Sequence, residues 1–180
     1  MKTYMKTYSG LKVDPFDPQP EEIRIEDIAH ALSLICRGNG QVTHFYSVAQ
    51  HCLNCEREAE ARGHSRRLRL ACLLHDASEA YLNDIIRPVK QYLEKYNEIE
   101  EHFLEVIYKS FGLGDLTKEE WAAVREIDDA LLDYDLVELL HEPMPERGYQ
   151  FMMMPDIGQR TFEEVETEYL RKAKELIREH

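Results

Sequence analysis

The chain has 180 residues, 43% of them hydrophobic, enough for one domain with a real core and too apolar for a disordered segment. Its 22 basic residues against 35 acidic ones leave a net charge of −13, which repels duplex nucleic acid and anionic membranes, so neither is expected as a partner. No apolar run reaches the roughly eighteen residues of a membrane span, and MKTYMKTYSG lacks the apolar stretch of a secretory signal.

Residues 1–24 predict an extended, turn-rich segment, with Pro15, Pro18 and Pro20 beside Asp14 and Asp17. The MKTY tetrapeptide occurs there twice, with no function assigned to it. Ile25, Ile28, Ala29, Leu32 and Ile35 recur at helical spacing, and Arg37-Gly38-Asn39-Gly40 stops that helix. Ser47 caps a second helix running to about Arg62. A third is predicted from about Ser65 to Leu82, and a fourth from about Pro88 to Phe111. Thr117-x-x-Glu120 is a capping box for a helix to about His141, and Thr161-x-x-Glu164 a second one for the last helix. Residues 142–160 read as an irregular loop. With no strand alternation, the expected fold is all-α: a single domain of six or seven helices, with its core at 25–141 and a C-terminal helix in 161–180.

Cys52-x-x-Cys55 has no second pair to complete a zinc knuckle. Cys36, Cys52, Cys55 and Cys72 are expected as buried free thiols in a reducing compartment, the cytoplasm.

The stretch LHDASEA, Leu74 to Ala80, puts His75, Asp76 and Glu79 into a run that otherwise reads as buried helix. Burying such groups unpaired costs several kcal/mol, roughly. On a helix His75 and Glu79 share a face, and Asp76 lies about 100° round. Imidazole with carboxylate is a ligand set for a divalent metal. His51 in SVAQHC sits among Ser47, Val48 and Cys55 at helical spacing and points inward. Asp128, with Val124, Leu131 and Leu132 around it, lies on the apolar face of its helix. A carboxylate facing the core wants a cation. Asp129, Asp133 and Asp135 are read as a solvated acidic face, Arg87 as an ordinary charge at a helix start, and His44 as lying in a loop.

The ordered set His51 … His75-Asp76 … Asp128, with SVAQH, LLHDASEAYLNDIIRPVK and IDDALL in sequence, resembles the HD-domain metal-dependent phosphohydrolases. The likeness is to the small branch of 5′-deoxynucleotidases and phage dATP hydrolases. It implies a helical HD domain and one divalent metal (Co, Mn, Zn, Fe or Mg) held by those four residues. Glu79 and Asp84 would orient or deprotonate the attacking water, while Arg37 and Lys90 would meet the substrate. It further implies a small-molecule nucleotide as substrate and a homo-oligomer of two or more chains. In the deoxynucleotidase branch the arginine is followed by tryptophan; here Gly38 follows. The expected activity is hydrolysis of the 5′-phosphate of deoxynucleoside monophosphates. The alternatives are a deoxynucleoside triphosphate hydrolase and a non-catalytic nucleotide-binding module.

Overall fold

The structure, a computed structural model, describes residues 4–178; the first three residues of the MKTY repeat, and His180, lie outside the described residues. Eight α-helices make up its body: α1 (Ile25–Leu34), α2 (Val48–Ala61), α3 (Arg66–Leu73), α4 (Glu79–Leu82), α5 (Arg87–Lys90), α6 (Glu94–Ser110), α7 (Lys118–Leu140) and α8 (Phe162–Ile177). The predicted caps form. Ser47 Oγ accepts from Gln50 N, and both threonine capping boxes close on themselves.

The N-terminal segment departs from the prediction. Two short antiparallel strands, β1 (Met5–Lys6) and β2 (Lys12–Val13), pair with Met5 opposite Val13. Period-2 alternation has no room in strands this short. The ribbon is held instead from outside: Val13 is fully buried, and Ser9 donates from its backbone N and its hydroxyl to the two oxygens of Asp27, at 2.6 and 2.8 Å.

Two of the six predicted helices are broken, which gives eight. The helix expected from about Ser65 to Leu82 stops at Leu73, turns through residues 74–78 on i to i+3 bonds (Ala77 N to Leu74 O, Glu79 N to Asp76 O), and resumes as α4. A helix end orphans its last carbonyls. Here each finds a side-chain donor: Tyr108 Oη on the Ala71 carbonyl at 2.9 Å, His75 Nδ1 on that of Cys72 at 2.8 Å, Tyr169 Oη on that of Leu73 at 2.7 Å. Those three bonds make the break affordable. His75 and Asp76 therefore project from a turn, not from a helix. The second break, at 91–93, separates α5 from α6, and Asn97 Nδ2 caps the Lys90 carbonyl at 3.3 Å.

α2 is the central helix. Eleven of its fourteen residues are buried, and its polar ones are all engaged. Glu56 pairs with Arg69 and Lys172. Glu58 accepts from the backbone of Met152 and Met153, Asn54 exchanges bonds with Asp156, and Gln50 donates to the carbonyls of Asp156 and Gly158. The irregular segment 142–160 is thereby stapled to α2. α8 covers α1, α2 and α3, burying Val165, Tyr169, Ala173 and Leu176.

Candidate metal centre and cleft

The site forms where α2, the 74–78 turn and α7 meet. His51, fully buried on α2, donates from Nδ1 to Asp135 Oδ2 at 2.8 Å. His75 donates from Nδ1 to the Cys72 carbonyl, an oxygen that can only accept. Both rings are therefore fixed with Nε2 inward, carrying a lone pair when neutral. Around those nitrogens stand carboxylate oxygens. His51 Nε2 is 3.0 Å from Asp128 Oδ1; His75 Nε2 is 3.1 Å from Asp76 Oδ2 and 3.4 Å from Asp128 Oδ1. His75 Nε2 is buried and has no hydrogen-bond partner in acceptable geometry.

Lone pairs facing carboxylates repel unless positive charge lies between them. The charges around the two imidazoles act in the same sense. Burial and Arg37 press His51 toward neutrality, yet its proton affinity is raised overall by Cys55, Asp128 and Asp135. Burial likewise opposes a charged His75, and the neighbouring carboxylates and thiols raise it. Burial would lift Asp76, but His75 and Arg37 bring it down to about 2. Two imidazoles that each want a proton, among carboxylates that refuse one, fit a divalent cation at the same place.

Of the predicted ligands, His51, His75 and Asp128 converge, together with Cys55, so that one donor atom from each lies within 4.8 Å of the others. Asp76 gathers with His75 and Cys52, and its Oδ2 is also 3.2 Å from Arg37 Nη1. Arg37 is pinned by a backbone bridge between Cys36 and Ser47 and reaches Asp135 at 3.7 Å.

The cluster opens on a cleft of about 520 Å³ that Arg37, Asp76, Glu79, Asp84, Lys90 and Asp128 all line. Glu79, at the start of α4, is buried with Oε2 unpartnered. Burial, then Asp76 and Asp84, push its carboxyl well above the usual range. Asn83, at φ 72°, turns the chain after α4 and delivers Asp84 to the cleft; burial raises Asp84 as well. Lys90 is not free: it forms an ion pair with Glu100 and lies 5.9 Å over the Tyr96 ring.

Three residues escape the sequence reading. Asp135 is no solvated acid; it is buried beneath His51. It lies seven residues after Asp128, two helical turns, and that spacing was the signal. Arg87 spans Asp128 at 3.0 Å and Asp129 at 2.9 Å on the cleft's rim. Cys55, four residues after His51, shares its face. His44 stays outside the cluster, donating to the Ile157 carbonyl, and His30 finds Glu166 at 3.1 Å and stacks on Tyr8.

The HD-domain family model matches residues 42–176, and the chain belongs to the HD-domain family, an all-α fold. An uncharacterised protein of Rhodobacter capsulatus is 44% identical over 118 residues, and the uncharacterised protein YfdR of Escherichia coli K12 is 39% identical over 111 residues. Each alignment covers 62% of this chain and 60% of the relative, so the chain spans less than two thirds of the length of these curated relatives. Among the described residues, no helix is long and apolar enough to cross a membrane.

Proposed function

We propose that the chain is a divalent-metal-dependent phosphohydrolase of nucleotides that cleaves the 5′-phosphate from deoxynucleoside monophosphates. One observation carries the reading. Two imidazoles, each locked by its Nδ1 bond, present Nε2 to Asp128 and Asp76 on the floor of a cleft that also holds the buried, unpartnered carboxylate of Glu79. His51, His75, Asp76 and Asp128 would hold the ion, which when bound supplies Lewis-acid polarisation of a phosphoryl oxygen and acidification of water.

The rest falls to the chain's own residues. Glu79 has the raised proton affinity a general base needs and takes the proton from the attacking water. Asp84, beside it in the cleft, orients that water. Arg37, Lys90 and Arg87 offset the phosphate charge in a protein that is otherwise acidic. Ile85, Ile86, Leu132, Leu136 and Leu140 form an apolar wall suited to a nucleoside. Water oxygen joins phosphorus, the ester P–O bond breaks, and the departing 5′-oxygen receives the proton that Glu79 took from the water.

A second reading, hydrolysis of deoxynucleoside triphosphates, draws on Arg37, Lys90 and Arg87 all lining one cleft, where each would exchange a carboxylate partner for a phosphate oxygen. Chelator-stripped protein, resupplied with Mn, Co, Zn or Mg, separates the two on a panel of dNMPs, NMPs and dNTPs. Metal-dependent phosphate release from monophosphates alone supports the first reading. Turnover of triphosphates alone supports the second. No turnover of any of them with metal bound refutes both and leaves a nucleotide-binding module.

A further inference from the structure

Lys90 closes the four-residue helix α5, and three side chains from the first turns of α6 converge on it. Its ammonium forms an ion pair with Glu100 and lies 5.9 Å over the ring of Tyr96, and Asn97 Nδ2 donates to its carbonyl at 3.3 Å. Tyr96 and Glu100 are four residues apart on α6 and share one face. Tyr96 Oη donates to the Asn83 carbonyl at 2.9 Å, which ties α6 to the turn that delivers Asp84. Glu100, 9% exposed, is thereby held in place. The lysine stem is the part able to turn, since no residue of α5 is buried.

Lys90 also stands on a boundary. It lines the cleft with Arg37 and Asp84, and it lines a second cavity of about 440 Å³. Glu100 lines that second cavity and not the cleft, so the ion pair holds the ammonium toward the far side. We propose that Glu100 is a positioning residue for phosphate recognition: it keeps Lys90 at rest on the boundary and gives it up to the phosphate when substrate binds. The inference rests on the phosphohydrolase reading above and names the residue that tunes substrate affinity at that site.

Charge and shape allow the exchange. Lysine is a compact charge on a flexible four-carbon stem, so rotation of the stem carries Nζ from one partner to the other while the backbone stays put. A phosphate dianion offers it more charge and more acceptor oxygens than a carboxylate does. What opposes the exchange is the carboxylate left behind. Glu100 is buried, and burial pushes its carboxyl up against the pull of Lys90. The resting pair therefore competes with substrate. Removing only the charge of Glu100 should tighten binding, the reverse of what losing a substrate contact does.

The test uses the full chain loaded with manganese or cobalt(II), read by titration calorimetry with inorganic phosphate and by KM and kcat for the nucleotide turned over fastest. Glu100→Gln keeps the shape of the side chain and an oxygen that Lys90 can bond. It should lower the phosphate Kd and KM about fivefold, with kcat little changed. Lys90→Ala should raise both constants. Adding Glu100→Gln to Lys90→Ala should then gain nothing, because the lysine it would release is gone. A Glu100 that only holds α5 against α6 would give no gain in affinity. Glu100→Asp, which draws the charge back by one methylene, should move affinity the same way by less, and it serves if the glutamine variant does not fold. Unchanged or weaker affinity in these variants overturns the proposal, and so does a gain that persists without Lys90. Turnover by the unaltered chain in either case leaves the phosphohydrolase reading intact. An unaltered chain that neither turns over a nucleotide nor binds phosphate overturns both.

Discussion

Replacing Asp135 by alanine tests whether the second carboxylate of α7 sets the metal affinity without touching the metal. In the structure its Oδ2 accepts from His51 Nδ1 at 2.8 Å, with the two side chains 6% and 0% exposed. Alanine removes the acceptor, leaves a buried N–H unpaired, and frees the ring to place its proton on Nε2, where the metal should go. Losing such an orienting partner costs about 10–100-fold in metal affinity, which is about 1.4–2.8 kcal/mol. Asp135→Asn keeps an oxygen that can accept from Nδ1, so its loss should fall short of the alanine value. The assay is calorimetric titration of zinc into the chelator-stripped protein and both variants. Stability of the metal-free protein should change less than the hydrogen bond alone suggests, because Asp135 Oδ1 is buried without a partner and its removal relieves that cost. An alanine variant that binds zinc as tightly as the unaltered chain would refute the orienting role.

Glu79→Gln should leave metal bound and slow turnover about 100-fold or more, whereas Asp76→Ala should lose both; metal analysis with steady-state rates separates them. Because burial, Asp76 and Asp84 raise the Glu79 carboxyl and a base must be ionised, activity should fall as pH drops through that raised value. The Gln variant's residual rate should lack this acid limb. Leu131→Ala, at a fully buried position on α7, should cost about 2–5 kcal/mol in denaturant unfolding. Burial acts to raise Glu168, but its bonds to Arg57 and Arg160 hold it below the usual range. Its contribution is therefore present above the ordinary glutamate pKa and lost as pH falls through the folded value. The stability gap to Glu168→Gln should close in acid, and a gap that persists there counts against this pairing.

Helix existence was legible because caps and periodicity are local. Ser47, Thr117 and Thr161 announce their helices within four residues. The break after Leu73 was not legible: residues 74–78 hold neither proline nor glycine, and the donors that stabilise the exposed carbonyls include Tyr108 and Tyr169, remote in sequence. The convergence of His51, His75 and Asp128 could be read from inward-facing polar residues. Asp135 is easily missed, because Asp129 and Asp133 make its stretch look like one wet face. Counting in sevens from Asp128 separates it from them. Lys90 shows the opposite limit, since its pairing with Glu100 depends on how α5 folds back on α6.

The two sides of the cleft differ in depth of burial, and that difference predicts how they open in time. His51 and Cys55 stand on α2, whose amides are sealed on every side by α1, α3, α7, α8 and the stapled loop. Arg87 and Lys90 stand on α5, four residues with none buried. In hydrogen–deuterium exchange, the amides of α2 belong with those that open only on global unfolding, and those of α5 with segments that open locally. A ligand of the cleft would enter past a wall that yields on its own, while the donors on α2 stay fixed until the whole molecule comes apart.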